Sequence, residues 1–172
     1  LAIASAETEA MELFAASRDN SGTARVLVQH GTLDWLEGKY QAAIDPCRQA
    51  LDLLDPQELP LVAAAHRNLG IGLWGIGKPD QARLHLERAL NLYEHLGDTY
   101  YAANVHQELG NCLRRLGNLA GAHLQYERAH MLWQQLGNSA ALANVLNSMA
   151  ISLHLRGEYT QALALFQQAL VK

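Results

Sequence analysis

The chain has little of what usually carries chemistry or anchors a protein to a membrane. Of its 172 residues only two are cysteine. Cys47 and Cys112 stand far apart, without the paired spacing of a zinc site or a disulfide framework. Aromatic residues make up 6%, few for a sheet-rich core. Lys and Arg number 13 against 17 Asp and Glu, for a net charge of −4. They form no basic block, so no direct nucleic-acid contact is expected. No apolar run approaches the ~20 residues that a membrane helix needs, so no membrane partner is expected. Leu1 to Ala6 has no basic start and Glu7 follows at once, which is not a secretory leader. There is no HExxH and no nucleophile elbow. Eight histidines are present, and His123 and His130 sit seven apart. No Cys or carboxylate completes a tetrahedral set around them. The expectation is no catalytic residue, no metal and no cofactor: not an enzyme. Reduced, buried thiols fit a cytoplasmic setting.

Apolar residues are plentiful, at 49%, and most are Ala and Leu. Such side chains suit closely packed helices. They also recur in register. One column is Gly31, Gly70, Gly110 and Ala150, at spacings of 39, 40 and 40. Seven residues on stand Gly38, Gly77, Gly117 and Gly157. Then come Ala43, Ala82, Ala122 and Ala162, and finally Ala50, Ala89, Ala129 and Ala169. A period in this range marks a solenoid of stacked units.

Each unit reads as two amphipathic helices. Between Asp98 and Gln135, the residues Ala102, Val105, Leu109, Leu113 and Leu116 form one apolar helical face. Gly117-Asn118 ends that helix, because glycine supplies the left-handed stop. Ala122, Tyr126, Ala129, Leu132 and Trp133 form the face of a second helix, closed by Leu136-Gly137. Asp98 and Asn138 are placed to cap the helices that follow. Gly110 and Ala122 are expected to face each other across the hairpin. The bulky column Cys47, Leu86, Tyr126, Phe166 is expected to fill the space between hairpins. Phe14, Leu54, Tyr93 and Trp133 are expected to pack on the next unit.

The layout is one array over residues 1–172. Residues 1–19 form the second helix of a partial repeat, and helix-pair repeats occupy 22–55, 61–97, 98–137 and 138–172. Asp55 to Pro60, with two prolines, is the one irregular join. The ends carry no obvious polar caps, so self-association through them is a further expectation.

These columns resemble the tetratricopeptide repeat, with a small residue in the first helix, Ala in the second and aromatics between. The usual period is 34; this one is about 40. That variant is similar to repeats in kinesin light chains, Pins-type scaffolds, signalling ATPases and bacterial regulators related to the maltose-regulon activator. The stretches Leu132 to Asn138 and Leu142 to Asn147 look most like the bacterial regulators. The resemblance implies an all-α, right-handed superhelical solenoid of antiparallel helix pairs. It also implies a non-catalytic scaffold that binds a peptide in a concave groove, as a regulatory module of a larger bacterial signalling or transcription-regulator protein.

Two glycine motifs compete with that assignment. Gly70 to Gly75 spells GxGxxG, and Gly72 to Lys78 spells GxxxxGK. Both lie inside a predicted helix with no strand before them, and Pro79 stands where a phosphate loop needs Ser or Thr. Gly70 and Gly77 are repeat columns. Gly72 and Gly75 are extras, marking either a soft point or a close approach by another backbone. His66 and His106 share a column and read as packed or half-buried side chains.

In solenoids of this kind the first helices line the concave face. Spacing then gives a candidate peptide-binding set: Arg25, Gln29 and Trp35 in the first repeat; Arg67, Asn68 and Trp74 in the second. Asn104, Gln107, Asn111, Arg114 and Arg115 follow in the third, and Asn144, Asn147 and His154 in the fourth. An amide offers both a donor and an acceptor to an extended main chain. The arginines favour an acidic segment. Ile71, Glu108, Asn144 and Ser148 do not match the clamp with which chaperone-tail receptors of this class hold a terminal carboxylate. The alternative is an effector-sensing superhelix that binds a small ligand and signals to neighbouring domains.

Overall fold

The computed structural model describes residues 19–171. The partial repeat expected before Asp19, with Phe14, lies outside them. Eight helices follow in order: α1 Asn20–Leu36, α2 Ile44–Leu53, α3 Leu59–Gly75, α4 Pro79–Leu96, α5 Thr99–Arg115, α6 Leu119–Gln135, α7 Ser139–Leu155 and α8 Tyr159–Leu170. Among the described residues there is no strand. The chain divides between Leu92 and Tyr93 into two compact units.

The helix ends follow from two residue types placed side by side. Gly38, Gly77, Gly97, Gly117, Gly137 and Gly157 all have positive φ, from 66° to 82°. At the end of α5, Gly117 N–H donates to Arg114 O and Asn118 N–H to Leu113 O, at 3.1 and 2.9 Å. That pair is the glycine-dependent C-terminal motif that satisfies the last free carbonyls. Asn118 then turns its side chain to the next helix and accepts Gly121 N–H at 2.9 Å. Asp98 and Asn138 do the same for Tyr101 and Ala141, at 3.1 and 3.0 Å. One Gly-Asx joint thus ends one helix and starts another, which forces the two to run back to back.

Inside the hairpins the small columns face each other, with a Cβ on Gly31 3.2 Å from Ala43 O and one on Gly70 3.3 Å from Ala82 O, and the bulky column enters beside them. A Cβ at Gly110 would collide with the ring of Tyr126, one at Gly31 with Cys47 Sγ, and one at Gly70 with Leu86, 2.7 Å from its Cγ. The glycine column therefore receives the bulky column of the same hairpin. At Tyr126 that column also reaches the next hairpin, as expected, sharing a core with Leu142, Val145 and Met149. The alanine columns do pack tightly: Ala43, Ala82, Ala122, Ala50, Ala89 and Ala129 are all fully buried.

The late second-helix column packs forward, as expected. In the second unit Trp133 and Tyr126 of α6 form one core with Leu142, Val145 and Met149 of α7. Each such aromatic removes about 150–250 Å² from water. In the first unit Leu54 joins Ala24, Leu27, Val28, Ala50 and Ala65. Tyr93 stacks on Tyr101, centroids 5.0 Å apart.

The irregular join is a turn. Gln57 N–H donates to Asp55 Oδ1 at 2.8 Å and Glu58 N–H to Asp55 O at 2.9 Å. Pro60 falls in the first turn of α3, where its missing N–H costs nothing. The extra glycines of α3 mark a close approach. A Cβ on Gly72 would lie 3.0 Å from Tyr40 O, and one on Gly75 would overlap the Tyr40 ring. Both glycine motifs sit wholly within α3 and the turn after it, without a preceding strand.

Candidate functional site

The candidate residues all lie on first helices, and the structure sorts them by what their side chains already do. In the first unit Asn68 is buried. Its Nδ2 donates to Val28 O at 3.1 Å and to Thr32 Oγ1 at 2.7 Å, and its Oδ1 accepts from Trp35 Nε1 at 3.2 Å. All of its capacity but one lone pair joins α1 to α3. Buried amides are normally satisfied this way, so the expected role of Asn68 as a peptide clamp gives way to a structural one. The Arg67 guanidinium lies 5.5 Å from the centre of the Trp35 ring, a cation–π contact. Trp74 meets the edge of Tyr40 at 6.5 Å. Arg25 and Gln29 are exposed.

In the second unit the Tyr126 hydroxyl donates to Asn111 Oδ1 at 2.9 Å and accepts from Arg114 Nε at 3.4 Å. Burial pushes the Tyr126 phenol up, with Arg114 opposing it. Asn104 Nδ2 donates to Tyr100 O one turn back, at 3.1 Å. Gln107 is half-buried and Arg115 exposed. Asn144 and Asn147 are both exposed on α7, with Ser148 bonded back to Asn144 O. His154 is exposed and packs edge-on with Tyr159, centroids 5.1 Å apart. The asparagines thus separate: Asn68 and Asn111 hold the fold together, while Asn144 and Asn147 present their amides to solvent.

The histidine column lies elsewhere, against the second helices. His66 Nδ1 stands 3.0 Å from His85 Nδ1, and His106 Nδ1 stands 2.7 Å from Gln125 Oε1. Burial, then His85 and Arg88, lower the His66 pKa to about 4. His85 is lowered by burial, then by Arg88 and Arg48. His106 is also lowered by burial, against the pull of Gln125 and Glu94. Periodicity had placed these rings as half-buried without showing their partners. The spacing of 19 residues from His66 to His85 and from His106 to Gln125 was the available signal.

No group of three His, Cys, Asp or Glu among the described residues could hold a metal ion. No helix among them is long and apolar enough to cross a membrane.

Comparison with known proteins agrees with the fold. Residues 101–170 match the tetratricopeptide repeat family model. The apo form of RapI superposes with a TM-score of 0.85 at 15% identity, over 96% of this chain and 61% of that one. BtubC (BKLC) from P. vanneervenii gives 0.79 at 21%, over 97% and 70%. MamA gives 0.71 at 21%, over 96% and 85%. At such identities the likeness establishes fold alone. The chain spans 61% of the length of RapI. No curated protein matches its sequence. Residues 101–170 carry tetratricopeptide repeats, and the described residues are all-α and built of helix pairs with the fold of such repeat proteins.

Proposed function

We propose that the chain is a non-catalytic scaffold that holds an extended peptide against the first helices of its second unit. Repeats of this family are protein-interaction modules. The pair Asn144 and Asn147 carries this reading: both are exposed on one helix, and their side-chain amides make no hydrogen bond among the described residues. Two amides three residues apart lie on neighbouring turns of one helix face. Each can donate to and accept from a main chain laid along it. Asn104 keeps its Oδ1 acceptor beside the bond to Tyr100. Exposed Arg115, at the end of α5, supports a preference for acidic residues in the peptide.

The scaffold would serve as a regulatory module of a larger bacterial signalling or transcription-regulator protein. The similarity of Leu132 to Asn138 and Leu142 to Asn147 to such regulators supports this. Two buried cysteines, neither in a disulfide, support a reducing, cytoplasmic setting.

The test is selection of peptides from a random library on the whole chain, followed by titration against Asn144→Ala/Asn147→Ala. Each lost hydrogen bond to a main chain is worth about 0.5–1.5 kcal/mol. The double variant should therefore bind selected peptides roughly 5- to 100-fold more weakly, with an unchanged circular dichroism spectrum. Equal affinity for both proteins would remove this face from the account.

A further inference from the structure

We propose that the cleft between α2, α3 and α4 in the first unit is a binding site for a small carboxylate with an apolar body. Its volume is about 460 Å³, within the range of small-molecule sites. Leu51, Leu54, Val62 and Leu69 give it apolar walls. Its polar lining is Arg48, Asp52, His66, His85 and Arg88. The two arginines outweigh the one aspartate, and both imidazoles are held neutral by burial first. Arg48 has only a weak claim on it, an exposed pair with Asp45 at 3.6 Å.

The second unit shows what such a lining accommodates. A cleft of about 300 Å³ occurs there at the same repeat register. Tyr93 replaces Leu54, His106 replaces His66 and Arg128 replaces Arg88. In that cleft a carboxylate is already in place: Glu94 Oε1 lies 3.7 Å from His106 Nε2. The residue of the first unit at the register of Glu94 is Asp55. Its carboxylate instead accepts the Gln57 N–H at 2.8 Å, inside the Asp-Pro turn. The first cleft therefore keeps the basic lining without an equivalent of Glu94, and Asp52 is the one carboxylate that lines it.

The histidine pair adds a donor. With 3.0 Å between the two Nδ1 atoms, one neutral ring donates and the other accepts. The accepting ring must carry its proton on Nε2. A carboxylate can take that N–H together with the guanidinium groups, and the ligand's apolar body can lie on the leucines. A cation is disfavoured by the two arginines, and no group of three His, Cys, Asp or Glu among the described residues could hold a metal ion.

The test uses the whole chain with 13C-labelled histidine, titrated separately with sodium benzoate, inorganic phosphate and zinc chloride. Benzoate should move the His66 and His85 ring signals saturably. Arg48→Gln and Arg88→Gln should each weaken that binding at least about tenfold, the loss of one charge-assisted hydrogen bond. Both arginines are exposed, so circular dichroism should stay unchanged. Absent or unsaturable benzoate shifts, or equal affinity in both variants, would overturn the site. Phosphate binding as tightly as benzoate would overturn the apolar body. Zinc shifting the rings while benzoate does not would make it a cation site instead.

Discussion

Gly110→Ala sets two known effects against each other, and the structure decides the sign. Replacing a helical glycine by alanine ordinarily stabilises by about 1 kcal/mol. Here the new Cβ would lie 2.9 Å from Tyr126 Cζ and nearer still to two other ring atoms. The ring is fully buried in the core of the second unit. It is also tethered, because its hydroxyl bonds Asn111. A rigid, tethered ring cannot yield as a flexible side-chain end would. Overpacking of this kind costs about 1–3 kcal/mol, and a pinned ring belongs at the upper end. The expected net is about 1–2 kcal/mol of destabilisation, or a fall in Tm of roughly 2–8 °C for a chain of this size. In a Tyr126→Ala background the collision is gone and only the propensity remains. There, Gly110→Ala should stabilise by up to ~1 kcal/mol. The assay is a double-mutant cycle in urea, read by far-UV circular dichroism and tryptophan fluorescence together, because repeat arrays need not unfold in one step. A neutral or stabilising Gly110→Ala in the wild-type background would refute the Gly–Tyr packing.

Three further predictions follow from caps, burial and titration. Asp98→Ala and Asn138→Ala should each destabilise by about 0.5–2 kcal/mol in urea, because each removes a side-chain cap, whereas Asn91→Ala, exposed within α4, should be near neutral. Cys47 is fully buried and its thiol is pushed up to about 12, by burial first; a thiol-specific disulfide reagent should react with it only on unfolding, and rapid native-state labelling would contradict that burial. His66 is held neutral to about pH 4 in the fold, while the unfolded chain takes up the proton near pH 6.5. Stability should therefore fall as pH drops from about 6.5 towards 4, and His66→Gln should flatten that slope.

The sequence was most legible where one residue type has one conformational use. Glycines at a 40-residue spacing located the helix stops, and every one of the six left-handed glycines lies just past a helix. Asp98 and Asn138 could be read as caps because only a short polar side chain next to a stop can turn back. Periodicity also separated apolar faces from polar ones. It did not show which side chain meets which across a hairpin. The small residues Gly110 and Ala122 could be read as a close approach of two helices; that the Tyr126 ring also enters the space beside Gly110 could not. Asn68 looked like its polar neighbours Arg25 and Gln29. Its burial depends on α1 lying against α3, a contact between residues up to 40 positions apart. The His66–His85 contact was hidden for the same reason, since His66 alone reads as one packed or half-buried ring.

The claim that the second unit binds peptide on its first helices is tested most directly by amide chemical-shift mapping. A library-selected peptide would be added to the 15N-labelled whole chain. The largest perturbations are expected along α7 around Asn144 and Asn147, and on the polar face of α5 near Asn104 and Arg115. Perturbations confined to α6 and α8, with α5 and α7 unmoved, would contradict it.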